Sequence, residues 1–165
     1  MKHPKRWARF FLVASLVTAA LIFYFSAQKG IDSSALSDGI TRRIARLIRP
    51  GYRSMSREAR QSYFELMSTI IRKNAHFCEF MLLGFNLMGF MRFRDREMPS
   101  LRCRLWAWGI ATAYGAVDEL HQLFINERAA MVLDVLIDSA GGLVGTLAMT
   151  AFLLLLAMLL KRSLP

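Results

Sequence analysis

Cysteine is nearly missing: Cys78 and Cys103 are the only two in 165 residues. They fall at opposite ends of one apolar stretch or beyond it, so a disulfide between them would have to cross most of a bilayer, and none is expected. Acidic residues are also scarce, 12 against 22 lysines and arginines, which leaves a formal net charge of +10. There is no H-E-x-x-H helix and no cysteine pair at zinc-ligand spacing; the nearest thing is Asp118 with His121 at i, i+3, so the signal for a metal is weak and no ligand is assigned. No nucleic-acid-binding motif accompanies the positive charge, no internal repeat stands out, and no low-complexity tract interrupts the chain.

What the chain has in excess is apolar side chain. Hydrophobic residues make up 55% and the mean hydropathy is +0.32, more than a soluble domain of this size could bury. Four segments, 7–25, 75–93, 105–124 and 131–160, approach or exceed the roughly 20 helical residues that cross a hydrocarbon core. The last is overlong and is expected to tilt or to project beyond the bilayer, and its run 140–160 holds no charge. The expected fold is therefore all-α: one domain over 1–165, a four-helix transmembrane bundle with amphipathic helices in a long first extracytoplasmic connection.

The basic N-terminus followed by an apolar run mimics a signal peptide. Phe25, at minus three from a cleavage after Ala27, is bulky where a small residue is wanted, so the first span is expected to be retained. Lysines and arginines divide evenly between the two sides of the four spans. Their density does not, because those beside the N-terminal tail, the second connection and the C-terminus flank the spans closely. Both termini are expected in the cytoplasm. The basic segments are expected to meet anionic lipid headgroups, and oligomers are left open.

In the first connection, Ser37 or Asp38 is expected to cap a helix with Ile40, Ile44, Leu47 and Ile48 at helical spacing and Arg42, Arg43, Arg46 and Arg49 between them. Pro50-Gly51 ends it. Such a helix can lie on a membrane with its arginines toward lipid phosphate, or pack on the bundle. A second helix is expected to start at Ser56 and to run into the second span.

Alternate crossing puts the end of span one, the start of span two, the end of span three and the start of span four on one side. The unusual residues are at those ends: Ser26 and Gln28; Arg72, Lys73, His76 and Glu79; Asp118, Glu119, His121 and Gln122; Asp134 and Asp138. An ionisable group in a spanning helix costs about 2.5–3.5 kcal/mol on insertion scales, so a group of them marks a functional site by default. Helical spacing sorts them into three stripes: Arg72, His76, Glu79; Asp118, His121, Gln122, Ile125; and Asp134, Asp138, Gly141, Gly145, with Glu119 off its stripe. Gly141 and Gly145 would let the fourth helix approach a neighbour closely. The plainer alternative is that these residues are ion pairs and hydrogen bonds holding helices together.

Phe25-Ser26-Ala27-Gln28, then Arg72-Lys73-Asn74-Ala75-His76-Phe77-Cys78-Glu79-Phe80, then Asp118-Glu119-Leu120-His121-Gln122-Leu123-Phe124, then Arg128 with Asp134, Asp138 and the glycines, together resemble the VanZ-like family. Family members often carry Pro-Gly-Arg before the fourth helix, where this chain has Asn126-Glu127-Arg128. The resemblance implies a multi-pass protein of the bacterial cytoplasmic membrane, in a family named after a gene linked to low-level teicoplanin resistance. It implies no established reaction and leaves the cofactor open.

Two classes of function remain. In the first, an outward-facing site binds, or also modifies, an anionic envelope lipid or lipid-linked glycan headgroup. Arg72, Lys73 and Arg128 would hold phosphate, with Ser26, Gln28, Gln122, Asp134 and Asp138 lining the site. His76 and His121 would exchange protons, with Glu79, Asp118, Asp134 and Asp138 orienting them, acting as bases or binding a divalent metal. In the second, the chain is a non-enzymatic proton-relay or transport component, or a structural membrane protein that binds partners.

Overall fold

The computed structural model describes residues 4–27, 30–98, 100–123 and 132–162, with side chains omitted at 30–37 and 161–162. Five α-helices and one 3-10 turn make up its regular structure, and no strand occurs among the described residues: α1 (Pro4–Ser26), α2 (Gly30–Ile48), the turn (Tyr52–Ser54), α3 (Arg57–Arg94), α4 (Ser100–Gln122) and α5 (Val132–Arg162). All four expected apolar segments fall largely within helices. Gln28 and Arg128 lie outside the described residues.

α3 is the spine. Its 38 residues extend about 57 Å at 1.5 Å per residue, nearly twice a hydrocarbon core, and it touches every other helix. Ser56 caps it as the sequence suggests, its hydroxyl accepting from the Ala59 N–H at 3.3 Å. Asp95 stops it: the carboxylate accepts the N–H groups of Glu97 and Met98, both at 3.1 Å, and turns the chain toward α4.

α2 begins earlier than expected. Helix runs from Gly30, so Ser37 and Asp38 are interior residues rather than caps. Its end is as expected: Pro50 cannot continue the helix and Gly51 takes φ 85°, a left-handed conformation that favours glycine. Fully buried Ala45 seats α2 on Tyr52 and Met67, with half-buried Ile44 and Tyr63 beside them, and Thr41 one turn earlier is also fully buried. The expected apolar stripe is therefore mostly outside this contact, and Ile40, Leu47 and Ile48 are exposed.

Glycine sets the spacing between α3 and α5. A side chain on Gly141 would run into the Phe77 carbonyl, one on Gly145 into that of Met81, and one on Gly84 into the backbone of Gly142. Backbones this close leave no room for a methyl group, the use that small residues serve in lipid-embedded helices.

Around an apolar core, the bundle buries many polar side chains and exposes many large apolar ones. Ser15, Thr18, Asn86, Asp118, Glu119, Gln122, Asp138 and Thr146 are buried, while Leu16, Phe23, Leu105, Trp106, Phe152 and Leu155 are among many large apolar residues left exposed. α1 and α5 are long and apolar enough to cross a membrane, and only 28% and 17% of their apolar windows are buried, which argues against core helices of a soluble protein.

Candidate functional site: a buried acidic cluster where four helices meet

Ser26 closes α1 and Gln122 closes α4, and the two ends are tied together by a buried triangle of hydrogen bonds. Ser26 Oγ donates to Asp118 Oδ2 at 2.9 Å, Gln122 Nε2 donates to Ser26 Oγ at 2.9 Å, and the same amide reaches Asp118 Oδ2 at 3.0 Å. All three side chains are buried. Asp118 Oδ1, also buried, accepts no hydrogen bond from a described residue.

α3 and α5 meet at the same level. Lys73 pairs with Asp134 two residues into α5, both side chains about one-fifth exposed. One turn deeper, His76 Nδ1 lies 3.8 Å from Asp138 Oδ1. Asp138 is fully buried, and neither of its oxygens accepts a hydrogen bond from a described residue. It is within electrostatic range of Glu79, Asp118, Glu119 and Asp134, so five carboxylates from α3, α4 and α5 share one region. No three of the described His, Cys, Asp and Glu residues form a metal-holding group.

Apolar and neutral contacts floor the cluster. Phe80 is fully buried, its ring 6.2 Å from that of Tyr114, whose hydroxyl donates to the Ala19 carbonyl at 2.7 Å and so fixes α4 on α1. On α5, Ser139 links back to α4: its hydroxyl is 2.9 Å from Thr112 Oγ1 and accepts from Trp108 Nε1 at 3.0 Å. Neutral hydrogen bonds thus share with Asp118 and the Lys73–Asp134 pair the work of holding the helices in register, while Asp138 takes no hydrogen bond from a described residue.

The structure brings together Ser26, Lys73, His76, Glu79, Asp118, Gln122, Asp134 and Asp138. Arg72 is exposed. His121 turns to α1, its ring 4.7 Å from that of Phe23, with a buried Nδ1 that has no hydrogen-bond partner among the described residues. Glu119, which the stripe reading set aside, is buried and faces the charge of Asp138. The signal for it was present: Gly115, Glu119 and Gln122 recur at i, i+4 and i+7, and all three are buried.

A family profile described as VanZ/LLP1 matches residues 11–160, from the first turns of α1 to the end of α5. The chain belongs to the VanZ/LLP1 family. No curated protein and no solved structure matches it. Family membership and two lipid-compatible helices together make it a membrane protein.

Proposed function

We propose that α1, the second half of α3, α4 and α5 all cross the bacterial cytoplasmic membrane, with both termini inside and the acidic cluster opening outward. On α4, Leu101, Leu105, Trp106, Ile110, Val117 and Leu120 point out while Cys103, Ala107, Ala111, Gly115 and Asp118 point in, a pattern that suits lipid on the outer side. α3 and α4 fall short in hydropathy because they carry the polar groups of the site. The dense basic flanks supply the orientation.

The site receives the headgroup of an anionic envelope lipid or lipid-linked cell-wall precursor. The observation that carries this is the sorting of charge by depth. Cations stand at the rim, with Arg72 exposed and Lys73 partly so, while Asp118, Glu119 and Asp138 lie buried behind them. Phosphate meets guanidinium and ammonium first, and Arg128, which lies outside the described residues, is a further candidate from the sequence alone. Hydroxyl or amino groups of the headgroup then reach carboxylates that have unfilled acceptor sites, such as Asp118 Oδ1 and both oxygens of Asp138. His76 beside Asp138 can take up or release a proton there, so chemistry on the bound group is within reach of this residue set. Since glycopeptide antibiotics act on lipid-linked precursor at the outer face, occupancy of the site would alter susceptibility to them.

A second reading, a proton relay in a small transport component, draws on the same buried Asp138 and its four acidic neighbours. Asp138→Asn, Glu79→Gln and Asp118→Asn in a strain lacking the chromosomal copy separate the readings. Normal protein abundance with an altered envelope lipid profile, with or without teicoplanin, supports the headgroup site. Normal abundance with unchanged lipids and altered proton flux supports the relay, and loss of folded protein in all three assigns the cluster to helix assembly.

A further inference from the structure

Five arginines of the first connection converge on one cavity. Arg42 and Arg46 from α2, Arg53 from the 3-10 turn and Arg57 and Arg60 from the start of α3 line a space of about 450 Å³, and no carboxylate is among the residues lining it. That volume is within the roughly 300–1,000 Å³ of small-molecule sites and several times what a single phosphate fills. The sequence left Arg42, Arg43, Arg46 and Arg49 to face lipid phosphate or to pack on the bundle, and Arg42 and Arg46 turn toward α3.

Two of the guanidinium groups are held in place. Arg42 lies over the Phe64 ring at 5.5 Å, and Arg60 lies 6.0 Å from the Tyr52 ring while donating to the carbonyls of Arg53 at 2.8 Å and Met55 at 3.1 Å. Stacking on an aromatic face fixes the plane of the fork without using all of its N–H donors. None of the five forms an ion pair with a carboxylate among the described residues. Like charges gathered without a counter-charge repel one another, and a bound anion would relieve that repulsion.

The direction of the cavity narrows the ligand. At 100° per residue, Arg42, Arg46 and Arg49 lie on the face of α2 opposite exposed Ile40, Leu47 and Ile48. If the apolar face meets lipid, the arginine face looks into water. The cavity also stands about 20 Å along α3 from Lys73, so it is separate from the acidic cluster. We propose that it is a second site, for an anion carrying a diphosphate group, either soluble or displayed above the membrane on a lipid headgroup. This holds whether or not the acidic cluster binds a ligand.

The test uses the full-length protein in nanodiscs. In neutral phosphatidylcholine discs, inorganic diphosphate should bind with an affinity that Arg46→Gln with Arg57→Gln weakens by about tenfold or more, while Arg92→Gln with Arg94→Gln, which removes the same charge elsewhere, leaves it within about twofold. Absence of inorganic diphosphate binding, with a polyprenyl diphosphate in the discs retained by the parent protein and lost selectively from the Arg46/Arg57 variant, would place the same chemistry on a lipid headgroup. Phenylglyoxal labelling of the unaltered protein gives a readout that needs no variant: ligand should protect Arg46 and Arg57 but not Arg92 and Arg94. Equal loss in both pairs of variants, or protection spread evenly over all four arginines, overturns the proposal, as does failure of both anions to bind.

Discussion

Asp138 on α5 lies directly over Gly115 on α4: a Cβ at position 115 would come 3.1 Å from the Cβ of Asp138 and 3.4 Å from its Oδ2. The same atom would meet Phe80 Cε1 at 3.3 Å. The buried acid therefore keeps its place because the facing helix has no side chain there. Gly115→Ala should disturb the site as Asp138→Asn does, reproducing its envelope phenotype, at a cost in stability of about 1–3 kcal/mol for overpacking. Unchanged phenotype together with unchanged melting in detergent would show that Asp138 is not confined by Gly115.

Glycines elsewhere in the bundle should respond with opposite signs. Gly145→Ala forces a methyl group into the Met81 carbonyl and should lower the melting temperature. Gly109, with nothing within 4 Å of its would-be Cβ, should tolerate alanine and gain about 0.5–1 kcal/mol from the better helix former. Parallel thermal unfolding of the two variants checks this, and the same sign for both would refute the close α3–α5 contact.

A double-mutant cycle addresses the triangle at the helix ends. Ser26→Ala removes the donor to Asp118 and the acceptor of Gln122, and should cost about 1–2 kcal/mol in a denaturant titration. In an Asp118→Ala background the same change should cost clearly less, since the two residues share one network. Additive effects would mean that α1 and α4 are not joined there.

The sequence made the helices legible because long apolar runs and the Ser56 cap are local signals, as was the close packing that Gly141 and Gly145 permit. Other features needed the third dimension. α2 buries Thr41 and Ala45, small residues that a hydrophobic pattern passes over in favour of Ile40, Leu47 and Ile48. Its start is not legible because Gly30, Asp32, Ser33 and Ser34 are poor helix formers that nonetheless lie in the helix. In the site, helical spacing alone could not choose between Glu119 and His121 as companions of Asp118: they lie on opposite flanks of its stripe, and only the positions of α1 and α5 decide which flank faces the acids. The arginine cavity was invisible for a related reason, since its walls come from three elements and exist only once α2 folds back on α3.

Side-specific labelling tests the outward-facing site most directly. In a background with Cys78 and Cys103 replaced by serine, single cysteines go at Ser54, beside the arginine cavity, and at Ser100, at the start of α4, both exposed positions. A membrane-impermeant maleimide added to intact cells should label the cysteine at position 54 and reach that at position 100 only after permeabilisation. Labelling of both from the same side would contradict the proposed alternate crossing, with the four helix ends together on the outer face.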